Sequence, residues 1–172
     1  MRAVLSREPG GPETLVVAET ADAPAPGPGE VTIRVHAAGV NFPDALIIED
    51  RYQVRPPRPF SPGAEVAGVV EAVGPDVTGF ARGDRVMAFL TSGGMAEQVT
   101  VEAWRCHPLT EGIGFVEAAA LQMTYGTALY GLQERGDLKA GETVLVLGAG
   151  GGVGLAAVEL AVAAGARVVA CL

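Results

Sequence analysis

A glycine-rich turn between an apolar strand and an apolar helix constrains this chain most. Residues 143–147 form an apolar run that is typical of a buried strand, and residues 155–161 predict a helix. The turn between them contains Gly148, Gly151, Gly152, Val153 and Gly154. A strand, a glycine turn and a helix in this order are typical of the opening of a dinucleotide-binding unit. An ordinary glycine-rich turn that binds nothing is the alternative.

The glycines predict a binding site for the pyrophosphate of a cofactor, because they allow a sharp turn, a close backbone approach and tight helix packing. The helix N-terminus adds N–H groups and a partial positive charge. An NAD enzyme of this kind usually has an acidic residue about 20 residues past the turn, but residues 168–172 contain no Asp or Glu. Either the cofactor is NADPH, with its phosphate reader beyond residue 172, or the reader is missing. We favour NADPH.

Composition excludes several classes of protein. Hydrophobic residues make up 49% of the 172 residues, which is enough for a core, and the net charge of −8 with no basic run argues against nucleic acid or membrane partners. The cysteines, Cys106 and Cys171, are too few and too far apart for a disulfide scaffold. The N-terminus lacks the apolar core of a secretion signal, so we expect a cytoplasmic protein.

The pattern along the chain predicts two domains. Residues 1–115 are β-rich, with short strands between glycine and proline turns, which favours a small barrel or sandwich. Those strands are predicted over residues 31–36, 65–73, 84–89 and 96–101. Residues 116–172 are interpreted as the first part of an α/β Rossmann domain. Helices are predicted over residues 114–121 and 125–134, and a last strand over residues 166–172.

Several segments, in their order along the whole chain, resemble the medium-chain dehydrogenase/reductase superfamily. They are residues 38–44 (Ala-Gly-Val-Asn-Phe-Pro-Asp), 62–70, 83–86, 94–97, 124–128 and the glycine turn. Within the superfamily the chain looks like the N-terminal half of the zinc-independent quinone oxidoreductases, the zeta-crystallin-like branch. The resemblance implies a β-rich GroES-like barrel domain followed by the truncated start of a doubly wound parallel sheet.

The residues expected to bind zinc in this superfamily are replaced here. Zinc members carry a histidine in a Gly-His-Glu segment and a cysteine in an early loop, where this chain has Ala64 and Asn41-Phe42. Two cysteines cannot form the four-cysteine structural site, and neither His36 nor the Cys106-His107 pair supplies enough ligands for a tetrahedral site. We predict no metal, and interpret Glu65, the acid of the altered segment, as a structural hydrogen-bond acceptor.

The resemblance also implies which residues line the active cleft. In the first domain Asn41, Asp44 and Tyr52 would be catalytic, with Tyr52 donating a hydrogen bond to a developing oxyanion, and Phe42 would contact the cofactor. The alternatives are a helix N-cap for Asn41, a first-turn helix acid for Asp44, a half-buried loop aromatic for Tyr52 and a core aromatic for Phe42.

The segment that enters the nucleotide-binding domain is the second part of the cleft that the resemblance implies. It would lie beside the nicotinamide ribose and ring, and its candidate cofactor contacts are Met123, Thr124, Thr127 and Tyr130. Thr127 and Tyr130 are three residues apart and would share a helix face. A packed interdomain helix without cofactor contacts is the alternative.

The resemblance implies a cytoplasmic, zinc-free NADPH-dependent oxidoreductase that transfers hydride to a small-molecule quinone or activated enone. An enoyl-thioester reductase of the same superfamily, or a non-catalytic fragment that serves as an interaction module, are the rivals. The nucleotide-binding strands are apolar on both faces, and such sheets need both faces covered. We therefore expect residues 1–172 alone to be poorly active, and to associate as a homo-oligomer or with the missing C-terminal half.

Overall fold

The computed structural model describes residues 1–172 and consists of two compact units, Met1–Ala120 and Leu121–Leu172. The sequence pattern predicts the change from the β-rich to the α/β part after residue 115, and the two units divide after Ala120. None of the helices has the length and hydropathy that a membrane crossing requires.

The first unit is built from antiparallel strands. They are β1 (Arg2–Leu5), β2 (Val16–Glu19), β3 (Glu30–Ala38), β4 (Glu65–Val73), β5 (Arg85–Phe89), β6 (Gln98–Glu102) and β7 (Cys106–Pro108). Five strands form one sheet in the order β6-β3-β4-β5-β7, and β1 and β2 form a separate pair. Its helices are α1 (Phe42–Ile48) and α2 (Phe115–Ala118), with 3-10 turns at Pro12–Thr14 and Ala103–Arg105.

The prediction of a barrel is corrected by this topology. The five-stranded sheet is open, with β6 at one edge and β7 at the other, and β1 bonds to the segment just before β6, where Ala3 and Ala96 form an isolated bridge. Alternating apolar residues identify strands but do not determine which edges pair, because closure depends on partners distant in sequence. The same pattern therefore fits an open sheet and a barrel.

The core of the first unit lies on one face of the five-stranded sheet. Alternate residues of neighbouring strands are fully buried there, among them Val31 and Ile33 of β3 and Val66 and Val70 of β4. Each such side chain contributes about 1.5–3 kcal/mol when it leaves water. On β4 a Cβ at Gly68 would lie 2.1 Å from the carbonyl oxygen of Arg34, so the backbones of β3 and β4 approach closely at this glycine.

The second unit contains strand, turn, helix and strand in the predicted order. Its elements are α3 (Thr124–Leu129), a π-helix (Tyr130–Arg135), β8 (Thr143–Leu147), α4 (Gly152–Ala163) and β9 (Arg167–Cys171). Two helix predictions need correction: the one over residues 114–121 contains only the four residues of α2, and the one over residues 125–134 changes from α- to π-helix at Tyr130.

The second unit has one covered and one open sheet face. Strands β8 and β9 are parallel, with Thr143 opposite Arg167 and Leu147 opposite Cys171, and α4 packs against both. Because strand side chains alternate, Leu145 and Leu147 share the face opposite to Val146. Val146 is buried, whereas Leu145 is 59% and Leu147 74% exposed. The open face is therefore apolar.

Candidate functional site

The candidate site in the first unit begins where the chain enters α1. Asn41 has extended backbone (φ −125°, ψ 159°) and is the N-cap residue of this helix, which confirms the alternative given for it. Its backbone N–H donates to Oδ2 of Asp44 at 2.8 Å, and its side-chain Nδ2 donates to Oε1 of Glu65 at 2.9 Å. The backbone N–H and the side-chain amide of Asn41 are thus each bound by a carboxylate.

Asp44 joins α1 to the segment before β4. Its carboxylate is buried, and it accepts hydrogen bonds from the backbone N–H groups of Asn41, on Oδ2, and of Gly63, on Oδ1 at 3.0 Å. Burial raises the pKa of Asp44, and these two hydrogen bonds oppose the rise. The predicted catalytic role stays a prediction, while the contacts give Asp44 a structural role at this loop.

Glu65, the first residue of β4, lies behind Asn41 and is only 2% exposed. Its backbone carbonyl accepts from the N–H of Gly39 at 3.0 Å. A Cβ at Gly39 would lie 2.5 Å from Oε1 of Glu65 and 2.4 Å from the carbonyl oxygen of Ala119. A glycine at position 39 therefore gives the carboxylate room, and Glu65 is the hydrogen-bond acceptor that the sequence predicts.

Tyr52 and Phe42 lie on different parts of the α1 region. Tyr52 is half-buried and packs against the cluster of Ile47, Ile48 and Phe60. Phe42, the first residue of α1, is 76% exposed, so it is not the core aromatic that was its alternative. An exposed ring at a helix start is available for a flat partner, whereas Tyr52 has its ring packed and only part of its surface in solvent.

No group of three or more His, Cys, Asp or Glu side chains in the chain is arranged to hold a metal ion. Ala64 is buried beside Glu65, and His36 stacks on Phe115 with ring centroids 4.5 Å apart. Burial raises the pKa of Cys106 to about 12, so its thiol is held in the protonated form that binds metals poorly. These side chains pack or stack within the protein.

The candidate site in the second unit is the glycine loop between β8 and α4. The loop is closed by a hydrogen bond from Gly151 N–H to the carbonyl of Gly148 and by one from Ala149 N–H to the carbonyl of Cys171. Gly148 has φ +72°, which favours glycine, and Gly151 is the N-cap residue of α4. The chain therefore turns from strand to helix within four residues, 148–151.

The glycines of this loop differ in what surrounds them. A Cβ at Gly154 would lie 2.1 Å from the carbonyl oxygen of Gly148, so that position is required by packing. A Cβ at Gly151 would meet only the same oxygen, at an ordinary 3.5 Å, and one at Gly148 would meet nothing within 4 Å. The loop leaves a cradle beside the first turn of a 12-residue helix, whose N–H groups suit a phosphate.

The structure brings the predicted segment before the loop next to it. A Cβ at Gly152 would lie 3.0 Å from Cγ2 of Thr124, so this threonine packs against the loop. Tyr125 donates through its hydroxyl to Oε2 of Glu159 at 2.5 Å, which joins α3 to α4. Thr127 Oγ1 donates to the carbonyl of Met123 at 2.5 Å. The remaining candidate, Tyr130, is 58% exposed at the start of the π-helix.

One residue of the first-unit site, Gly63, escaped the sequence-based candidates; it supplies a backbone donor to Asp44, whereas Glu65, which binds the side chain of Asn41, was predicted as an acceptor. A backbone donor leaves no trace in residue type. Glu65 carries a signal, because an acid in a buried strand with no metal to serve needs a hydrogen-bond partner.

Comparison with known proteins places the chain in context. Residues 27–111 match the family of the alcohol dehydrogenase GroES-like domain. The quinone oxidoreductase of Rattus norvegicus is 44% identical over 169 residues, which are 98% of this chain and 51% of that protein. The chain thus spans about half the length of the curated relatives it matches.

Solved structures likewise match nearly the whole of this chain and about half of their own length. The human synaptic vesicle membrane protein VAT-1 homolog-like protein has a TM-score of 0.95 at 38% identity, covering 99% of this chain and 55% of that one. The quinone oxidoreductase from Thermus thermophilus, described together with its NADPH complex, has a TM-score of 0.86 at 40% identity, covering 99% and 52%. The CurK enoyl reductase has a TM-score of 0.90 at 32% identity, covering 98% and 53%.

Proposed function

The chain belongs to the medium-chain dehydrogenase/reductase superfamily, and from this membership we propose that it is the N-terminal part of an NADPH-dependent reductase. The reaction is hydride transfer to a quinone or an activated enone, without zinc, in the cytoplasm. The observation that carries the proposal is the cradle at Gly148 and Gly151, joined in one chain to a GroES-like domain. The two free cysteines are consistent with a reducing compartment.

The glycine loop is where this chain would hold the cofactor. Gly148 and Gly151 leave room for the pyrophosphate, and the N–H groups in the first turn of α4 bind its oxygens. Thr124, which packs on the loop, is placed to contact the neighbouring ribose, and Met123, Thr127 and Tyr130 complete the proposed cofactor contacts. The absence of an acid at residues 168–172 and the NADPH complex of the Thermus thermophilus relative favour NADPH over NADH.

In the first unit, Asn41, Phe42, Asp44 and Tyr52 would bind and orient the reactants. NADPH supplies the hydride, so the protein acts by positioning and by excluding water. The exposed Phe42 ring offers a flat apolar surface, and the Tyr52 hydroxyl donates to the acceptor oxygen as charge develops there. Asp44 keeps the loop that carries Asn41 in place through its two backbone hydrogen bonds.

An enoyl-thioester reductase is the second candidate, and the similarity to the CurK enoyl reductase favours it. Both reactions deliver hydride to a carbon conjugated with a carbonyl, so the same residues serve either one. A non-catalytic interaction module is the rival of another class. It predicts no reductase activity in the whole protein.

Steady-state kinetics on the whole protein that carries this chain tests the proposal. We expect turnover of NADPH with a quinone, a higher kcat/KM for NADPH than for NADH, and no zinc by elemental analysis. Tyr52→Phe should lower kcat by about tenfold or less, because one hydrogen bond to the oxyanion is lost while positioning remains. Turnover of an enoyl thioester but not of a quinone would support the enoyl-thioester reductase. Turnover of neither would support the non-catalytic interaction module.

A further inference from the structure

Glu159 is the only charged residue of α4, and it contacts α3. Its Oε2 accepts from the hydroxyl of Tyr125 at 2.5 Å, a length typical of a hydrogen bond from a hydroxyl to a carboxylate. This bond raises the pKa of Tyr125 above its ordinary value, so the hydroxyl keeps the proton that it donates. Every other residue of α4 is Gly, Ala, Val or Leu, so no other side chain of this helix can accept a hydrogen bond from α3.

The residue before Tyr125 contacts the start of the same helix. A Cβ at Gly152, the first residue of α4, would lie 3.0 Å from Cγ2 of Thr124. Glu159 lies two turns further along the helix, which corresponds to about 10 Å. Two adjacent residues of α3 therefore contact α4 at two separate points. Because a rotation or a slide of α3 on α4 would break one of these contacts, together they fix the position of α3.

We propose that Tyr125 and Glu159 are positioning residues that hold Thr124 against the glycine loop, so that α3 forms one wall of the cofactor cradle. This rests on the proposed function, in which the loop binds NADPH. The cradle at Gly148 and Gly151 has free space, and Thr124 packs beside it on the first residue of α4. Neither Tyr125 nor Glu159 has to touch the cofactor. Without their hydrogen bond α3 is held less firmly on α4, and NADPH binding then has to order it, which lowers the affinity.

The test measures the NADPH dissociation constant and the NMR signal of the Thr124 methyl group in the whole protein that carries this chain. Tyr125→Phe keeps the ring and removes the hydroxyl. We expect about threefold weaker NADPH binding, a displaced methyl signal and a kcat within about twofold of wild type. Glu159→Leu should have the same effect, and the double variant no larger one, because both changes remove one hydrogen bond. Glu159→Gln keeps an oxygen that accepts from Tyr125 and should stay close to wild type.

The matched control is Lys139→Gln, which removes another exposed side-chain contact of the same unit, the ion pair with Asp137. It should leave the Thr124 methyl signal and NADPH binding unchanged. Wild-type NADPH affinity in Tyr125→Phe, even with a lower unfolding midpoint in urea, would overturn the inference, because the bond would then only stabilise the fold. Equal losses of affinity in Glu159→Gln and Glu159→Leu would also overturn it, since the charge would then be responsible. A wild-type protein that binds no NADPH would instead refute the proposed cofactor, while the methyl signal would still decide whether the pair holds Thr124.

Discussion

Two glycines of one loop have different reasons to be glycine. Gly154 lies where its Cα faces the carbonyl oxygen of Gly148, and any Cβ there would be 2.1 Å from that oxygen. A Cβ at Gly151 would have space as long as no ligand occupies the loop. Packing of the helix on the turn therefore explains Gly154, whereas no packing contact requires a glycine at position 151, which serves as the N-cap of α4 and leaves room for a ligand.

Alanine substitutions should separate these two roles. We expect Gly154→Ala to lower the free energy of unfolding by about 1–3 kcal/mol, because the loop has to move to relieve the clash. Gly151→Ala should cost less than about 1 kcal/mol, the loss of a good N-cap residue, yet weaken NADPH binding. Urea unfolding and NADPH titration of both variants measure this. Equal affinities of wild type and Gly151→Ala would show that the cradle does not hold the pyrophosphate.

The buried carboxylate of Asp44 should leave a signature in the pH dependence of stability. Its pKa in the folded chain is raised above the ordinary 3.8, chiefly by burial. The folded state therefore binds more protons than the unfolded state in this range. The contribution of this ionisation to the free energy of unfolding is fully present below the ordinary pKa and is lost as the pH rises through the folded-state pKa.

Asp44→Asn tests this by removing the titration and one acceptor. At neutral pH we expect a loss of about 1–3 kcal/mol, because an amide cannot accept from both Asn41 and Gly63 with its two polar atoms. Urea unfolding from about pH 3 to about pH 6 should show the wild type losing stability relative to Asp44→Asn as the pH rises. If the stability of the wild type relative to Asp44→Asn increased with pH instead, burial would not be the main influence on the pKa of Asp44.

At the scale of elements, the irregular segment between α1 and β4 is held by one side chain. Arg58 donates to Oδ1 of Asp50 at 2.8 Å, to the carbonyl of Ile48 at 2.9 Å and to Oγ of the buried Ser6 at 3.2 Å. Its guanidinium also lies over the ring of Phe60, 5.3 Å from the centroid. The planar guanidinium therefore links three parts of the chain: the end of α1, the segment that contains Tyr52, and Ser6, directly after strand β1.

Arg58→Lys should keep the charge and lose the fork. Lysine cannot reach three acceptors with planar geometry, so we expect a loss of about 1–3 kcal/mol in the free energy of unfolding. Amide hydrogen exchange should accelerate at Asp50 and Arg51, whose N–H groups close the end of α1, before it does in β4. Arg51→Lys is the control, because Arg51 is an exposed arginine paired only with Glu49 at 3.0 Å. Similar losses in the two variants would argue against the role of Arg58.

At the scale of the whole molecule, the open face of β8 and β9 should make the isolated 172-residue chain associate. Leu145, Leu147 and Val169 leave an apolar surface exposed on that face, which parallel sheets normally cover. In sedimentation velocity we expect association that increases with concentration and that Leu147→Lys suppresses. Val17→Lys is the control, because Val17 is equally exposed, at 74%, but lies on β2. A concentration-independent monomer would show that this face tolerates water.

Residue order alone was sufficient for the longer strands and for the glycine loop. Strands β4 and β8 have the predicted bounds, because a continuous apolar run between turn residues leaves a strand few other places to begin or end. The spacing of Gly148, Gly151 and Gly154 likewise identified the turn, since these positions depend on local backbone geometry. The short strands β1, β2 and β7 were missed, because their pairing and not their composition makes them strands.

Tertiary structure alone decided what the site residues contact. Asn41 was recognised as an N-cap candidate, but its bond to Glu65 joins residues 24 positions apart, and no local pattern encodes such a distance. The openness of the five-stranded sheet was decided in the same way, by which strands pair at its edges. Local sequence fixes backbone conformation through sterics and burial pattern, whereas side-chain partners and sheet closure depend on how distant segments pack, and that is settled only by the folded chain.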